Sequence, residues 1–200
     1  MSGYQALRFE IYQELGECYT AVGQLARASR YLHQARQECW QDPRPLVSLG
    51  VIALKENQPQ EARNYFEAAL ALKPEDDQAL YGLGQVAQSI GQLPEARQWF
   101  QAAWERNPDN LEALKGILAT GEEPESLELA AGALRTHLER RPADLKMLQR
   151  LADIYVRQGK AADAVDLLER ILIFEPDNLE AQDLLARVQG ADQNATNTLS

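Results

Sequence analysis

Pro74, Pro108, Pro142 and Pro176 stand 34 residues apart in a chain of 200. A single globular core has no use for such a spacing, whereas a stack of like units requires it. Other positions keep the same register. With each proline counted as position 32, position 20 reads Ala28, Ala62, Ala96, Ala130 and Ala164, and position 8 reads Gly16, Gly50, Gly84, Leu118 and Ala152. Five copies therefore tile the chain as residues 9–42, 43–76, 77–110, 111–144 and 145–178.

Inside a copy the apolar residues recur at steps of three and four, as in Leu80, Leu83, Gly84 and Ala87, and again after a break in Ala96, Phe100 and Ala103. That is the spacing of a helix face, so each copy is a helix pair and the fold class is all-α. Gly23, Asn57, Gly91 and Gly159 at position 15 are placed to end the first helix in a left-handed turn. Pro59 and Pro94 fall in the first turn of the second helix, where a missing N–H costs nothing. After the second helix an Asp or Asn is on hand to cap the next first helix. Repeat 4 brings Gly121 and Pro124 forward, which shortens its first helix and lengthens its second to 124–140. Small residues at positions 8, 20 and 27 let the paired helices approach closely. Cys18, at the position held elsewhere by Ile52, Val86 and Ile154, reads as a small core hydrophobe.

The run DQALYGLGQVAQSIGQLPEARQWFQAAWERNPDN at 77–110 resembles the tetratricopeptide repeat family, with its Leu-Gly, Tyr, Ala, Phe and Pro in order. The resemblance implies a right-handed α-solenoid of five helix pairs whose first helices line a concave groove. It covers about 85% of the chain. Repeat 1 departs from the pattern with Trp40 in place of proline, and repeat 4 lacks the Gly at position 8. Residues 179–190 keep helical spacing but carry Gln182 and Gln189 where apolar residues belong, as a solvated capping helix does. Residues 191–200 have no periodicity and read as a disordered tail or a linker.

The chain carries thirty acidic and twenty basic residues, a net charge of −10, without a basic stripe that could track phosphates, so nucleic acid is not an expected partner. Residues 1–17 include acids and no apolar run of seven, so neither a signal peptide nor membrane insertion is expected, and the expected location is the cytoplasm. Arginine outnumbers lysine 15 to 5, a ratio that GC-rich bacterial coding produces. Phosphate-binding loops, nucleophile elbows and zinc motifs are missing from the sequence. No cofactor, metal or catalytic residue is therefore assigned, and His33 and His137 are read as ordinary helix residues.

The family resemblance directs attention to the groove, whose inner face takes positions 2, 5, 9, 12 and 13. Repeats 1 to 3 place there Glu10, Gln13, Glu17 and Thr20, then Arg44, Val47, Val51, Leu54 and Lys55, then Gln78, Tyr81, Gln85 and Gln88. Repeats 4 and 5 place Lys115, Lys146, Arg157 and, alongside, Arg150. The polarity changes from an acidic mouth to an apolar shelf at Val47, Val51, Leu54 and Tyr81, then to Gln85 and Gln88, then to cations. Such a gradient suits a protein or peptide partner with apolar anchors and an acidic segment. Chaperone adaptors of the family grip a C-terminal carboxylate with a Lys/Asn, Asn, Lys/Arg set; the matching positions here are Gln13 and Glu17, Ser48, then Gln78 and Gly82, so that clamp is missing. The expected function is a non-catalytic interaction scaffold. Two other readings fit the same residues: the N-terminal repeat module of a larger enzyme such as a glycosyl- or methyltransferase, and a self-assembling homo-oligomer.

Overall fold

A computed structural model describes residues 3–120 and 124–197, the side chains of residues 125 and 191–197 excepted. Among the described residues all regular structure is α-helix: α1 (Gly3–Ala21), α2 (Leu25–Glu38), α3 (Arg44–Lys55), α4 (Pro59–Leu72), α5 (Asp77–Ser89), α6 (Leu93–Arg106), α7 (Leu111–Ala119), α8 (Pro124–Arg140), α9 (Leu145–Arg157), α10 (Ala161–Phe174) and α11 (Leu179–Asn197). They fall into two compact units, residues 1–120 and 121–200. In the first unit each helix packs on the next, and the first helices α1, α3, α5 and α7 also touch in sequence. In the second unit α8 packs on α9, α9 on α10 and α10 on α11, with α9 also touching α11. This pairwise stacking is an α-solenoid.

Local chemistry sets the boundaries. Gly23, Gly91 and Gly159 have φ of 79°, 79° and 72°, and Asn57, the residue that tolerates this region next best, has 59°. Asp76, Asn110, Asp144 and Asn178, one repeat apart, accept the backbone N–H three residues on, closing the first turns of α5, α7, α9 and α11. Asp42 sits in the same register ahead of α3, but there Pro43 intervenes and Asp42 Oδ1 accepts from Arg44 N at 2.9 Å instead. α7 spans nine residues and α8 seventeen, as the early Pro124 requires; Gly121 lies outside the described residues.

The core of the first unit is built on an aromatic wedge. Phe66 on α4 is fully buried between Gly50 of its own repeat and Gly82 of the next. A Cβ at either glycine would stand 2.6 Å or 2.3 Å from the ring. Phe100 is held in the same way by Gly84 and Gly116, with corresponding distances of 2.5 and 2.6 Å. Each ring thus locks its own first helix and the following one at a single separation. Ala28, Ala62 and Ala96 at position 20 are wholly buried, as are Ala35, Ala69 and Ala103 at position 27. In the second unit Leu134 and Leu168 take the wedge position, and α11 closes the stack by burying Ala181, Leu184 and Val188.

Two expectations need correction. Cys18 is exposed, not core. Its equivalents Ile52 and Val86 are covered because a second helix precedes them, whereas α1 is the first element of its unit. The terminal helix also runs to Asn197, past the boundary at 190 drawn from apolar spacing. Extending an existing helix needs only one more hydrogen bond per residue and no apolar face, so the pattern says nothing about where it stops.

Candidate functional site

The first helices of repeats 1 to 3 leave a trough of about 410 Å³ in the first unit. Val47 and Val51, one turn apart on α3, form its floor, and Ala21, Ser48 and Thr20 add to the walls. Both valines are half-buried: their inner sides pack on the core around Leu46, Ala53 and Phe66. They can therefore be covered by a ligand without any change in the fold. Glu17, Lys55, Asp76 and Gln78 stand around the rim.

The rim's polar groups divide into those already committed and those that are not. Arg44 reaches Glu10 at 2.8 Å and Asp42 at 3.0 Å, and these two carboxylates, Glu10 foremost, raise its guanidinium above the ordinary arginine value. Asp76 is occupied by the α5 cap and by Lys73 at 3.1 Å. Glu17 accepts a 2.6 Å hydrogen bond from Gln13 Nε2, which also donates to Ser48 Oγ at 3.1 Å; among the described residues no cation is paired with Glu17. Lys55 is exposed and has no ion-pair partner among the described residues. The trough thus offers an apolar floor with one carboxylate and one ammonium that have no ion-pair partner among the described residues, a set suited to a short polypeptide segment.

The structure distributes the remaining candidates as follows. Leu54 packs on the same core as Val47 and Val51 but lies outside the trough lining. Tyr81 stacks obliquely on Phe100 at 5.5 Å and accepts a 3.1 Å hydrogen bond from Gln85. Burial, with Glu112 second, raises the Tyr81 phenol above its usual value, so it stays protonated. Gln88 is half-buried farther along α5. Lys115 on α7 is paired with Glu112 of its own helix. In the second unit Lys146 and Arg150 lie one turn apart on α9, exposed and without an ion-pair partner among the described residues, while Arg157 pairs with Asp153 at 3.0 Å. Sequence positions picked out the valine floor but not Ser48 or Asp76. The capping role of Asp76 was legible; its place on the rim depends on where the cap lands in space.

The family model described as Tetratricopeptide repeat matches residues 53–120 and 124–188. Comparison with curated proteins gives no match. Among solved structures, the fold is similar to YrrB, described as a TPR protein with an unusual peptide-binding site, at 21% identity and a TM-score of 0.60 over 86% of this chain and 89% of that one. It is also similar to PilF of Pseudomonas aeruginosa, at 16% identity and a TM-score of 0.66 over 92% and 90%. A third likeness is to the first TPR of Spaghetti (RPAP3) bound to the HSP90 peptide SRMEEVD, at 18% identity and a TM-score of 0.53 over 57% of this chain and 90% of that one. Among the described residues no helix is long and apolar enough to cross a membrane.

Proposed function

The chain belongs to the tetratricopeptide repeat family, and from that premise we propose that it is a non-catalytic interaction module that seats a partner segment, extended or helical, in the trough between α1, α3 and α5. The observation that carries this reading is the half-buried pair Val47 and Val51 at the floor of a trough of about 410 Å³. An apolar residue of the partner covers that pair, and Tyr81, Gln85 and Gln88 supply flanking contacts. Lys115, on α7 of the same unit, meets an acidic residue of the partner, and Lys146, Arg150 and Arg157 give the second unit a separate contact for acidic residues. Support for a peptide ligand comes from the peptide-binding site described for YrrB and from the peptide bound to the Spaghetti domain.

The test is selection of displayed random peptides on the whole chain, followed by calorimetry of the enriched sequences. Val47→Asp with Val51→Asp is expected to weaken binding at least tenfold, about 1.4 kcal/mol. Reversing Lys115 to Glu is expected to weaken it and to flatten its salt dependence, and reversing Lys146 and Arg150 tests separately the acidic contact of the second unit. Reversal of the exposed Arg30 is the control. Loss of binding with Arg30→Glu but not with the valine pair would place the ligand elsewhere.

A further inference from the structure

A second hollow, of about 450 Å³, lies in the second unit between α8 and α10 over α9. Leu138, Leu151, Tyr155 and Leu167 supply its apolar surface, and Glu139, Asp163 and Asp166 stand at its edge. None of those three carboxylates has an ion-pair or hydrogen-bond partner among the described residues. Two arginines also line it, and both are engaged: Arg135 with Glu128 and the Tyr155 hydroxyl, Arg170 with the carbonyl of Pro142.

The repeat register shows what fills the equivalent space elsewhere. Residues 68 positions earlier belong to α4, α5 and α6 of the first unit. There Trp99 lies against the core of α4 and α5 and donates its indole N–H to Glu95 at 3.2 Å. Arg63, across on α4, reaches the same Glu95 oxygen at 2.9 Å and, with Trp99, holds its carboxyl below the usual range. Arginine, glutamate and tryptophan together close the space. In the second unit the counterparts are Ala131, Asp163 and Leu167. The acid is kept, while its guanidinium and the indole are both lost. Position 23 carries an aromatic ring in each repeat of the first unit, Tyr31, Tyr65 and Trp99, and in the second unit carries Ala133 and Leu167.

We infer that the hollow over α9 is a docking site for a basic segment of a partner protein, which inserts an aromatic side chain against Leu138, Leu151 and Leu167 and sets an arginine on Asp163. Charge selects that occupant. The uncommitted groups at the edge are three carboxylates, and they lack the cation that the equivalent acid in the first unit possesses. The apolar volume accepts an indole, which is what the equivalent space holds. This site is distinct from the trough of the first unit and uses ligand of the opposite charge to that proposed for Lys146 and Arg150.

The test uses the full chain and a helical fifteen-residue peptide with Arg and Trp four residues apart, together with versions carrying Arg→Glu or Trp→Ala. Nuclear magnetic resonance titration is expected to shift the Leu138, Leu151 and Leu167 methyls, with both altered peptides binding at least tenfold more weakly. Leu167→Trp, which rebuilds the filling seen in the first unit, is expected to weaken the parent peptide at least tenfold. Asp163→Asn, a change at an exposed position that leaves the core untouched, is expected to weaken it and reduce its salt dependence. Equal binding of the three peptides, or shifts confined to the Val47 and Val51 methyls, would overturn the inference. Occupation of the hollow by the exposed Trp40 of a second copy, read from sedimentation of wild type against Trp40→Ala, would overturn it too.

Discussion

Gly82→Ala is the sharpest test of how the first unit is held together. The added methyl would stand 2.3 Å from Phe66 Cε1 and 2.4 Å from Cζ. Ordinary carbon contacts are about 3.5–4.0 Å, so an overlap of more than 1 Å must be relieved. Phe66 cannot swing away, because Gly50 confines its other face and the ring is fully buried. Overpacking of this kind costs about 3 kcal/mol, at the upper end of its range. Alanine's better helix propensity returns about 1 kcal/mol. The net loss is about 2 kcal/mol, or about 4–8 °C in melting temperature for a chain of this size. Gly132→Ala is the internal control, since the nearest atom its methyl would meet is the far end of the Arg135 side chain, at an ordinary contact distance of 3.8 Å. It is expected to stabilise by up to about 1 kcal/mol. Adding Phe66→Leu should rescue Gly82→Ala, because where Leu holds the wedge position the next repeat tolerates Ser48, Arg150 or Leu184 in place of Gly82. Urea and thermal melts of the four-member cycle should give a coupling of at least about 1 kcal/mol. Additive effects, or a Gly82→Ala variant that gains stability as Gly132→Ala does, would refute the wedge.

Asp144→Ala is expected to cost about 2 kcal/mol or more by urea melts, because Asp144 both caps α9 and receives the buried His137 at 2.9 Å; Asp144→Asn should lose less than half of that. Glu128, held by Arg135, Lys160 and Gln158, has its carboxyl brought down from 4.5 to about 2. A depressed carboxyl contributes fully above its unfolded value and is lost as pH falls, so wild type and Glu128→Gln should differ slightly at neutral pH, the site being half-exposed, and converge between pH 4.5 and about 2. A side-chain carboxyl titration with its midpoint near 4.5 would contradict this. Leu184→Ala on α11 should destabilise the second unit by about 2–5 kcal/mol, and ending the chain after Pro176 should cause aggregation measurable by light scattering.

What the amino-acid order alone determined is what depends on neighbours along the chain. The period of 34 is visible in the residue order itself, and the caps at Asp76, Asn110, Asp144 and Asn178 and the left-handed turns at Gly23, Asn57, Gly91 and Gly159 are closed by hydrogen bonds over five residues or fewer. The boundaries between the repeats therefore follow from local rules, and even the shortened α7 and lengthened α8 were legible from Pro124, whereas the end of α11 was not. Val47 and Val51 were assigned to the groove by the family resemblance, and they share one face of α3 and line the trough. Tertiary structure decided everything that depends on what lies across from a residue. Gly82 and Gly116 look like weak points in their helices until Phe66 and Phe100 are seen against them, and Cys18 is exposed because, among the described residues, no second helix covers α1 as α2 covers Ile52. Leu54 has the same character as Val47 and Val51, yet it packs aside from the trough they line. The hollow over α9 is lined by Leu167, where the first unit carries Trp99, and by residues of two further helices. A face is a property of one helix and can be read from spacing. A cavity is set by the distance between helices, and that distance depends on side chains remote in sequence packing against one another.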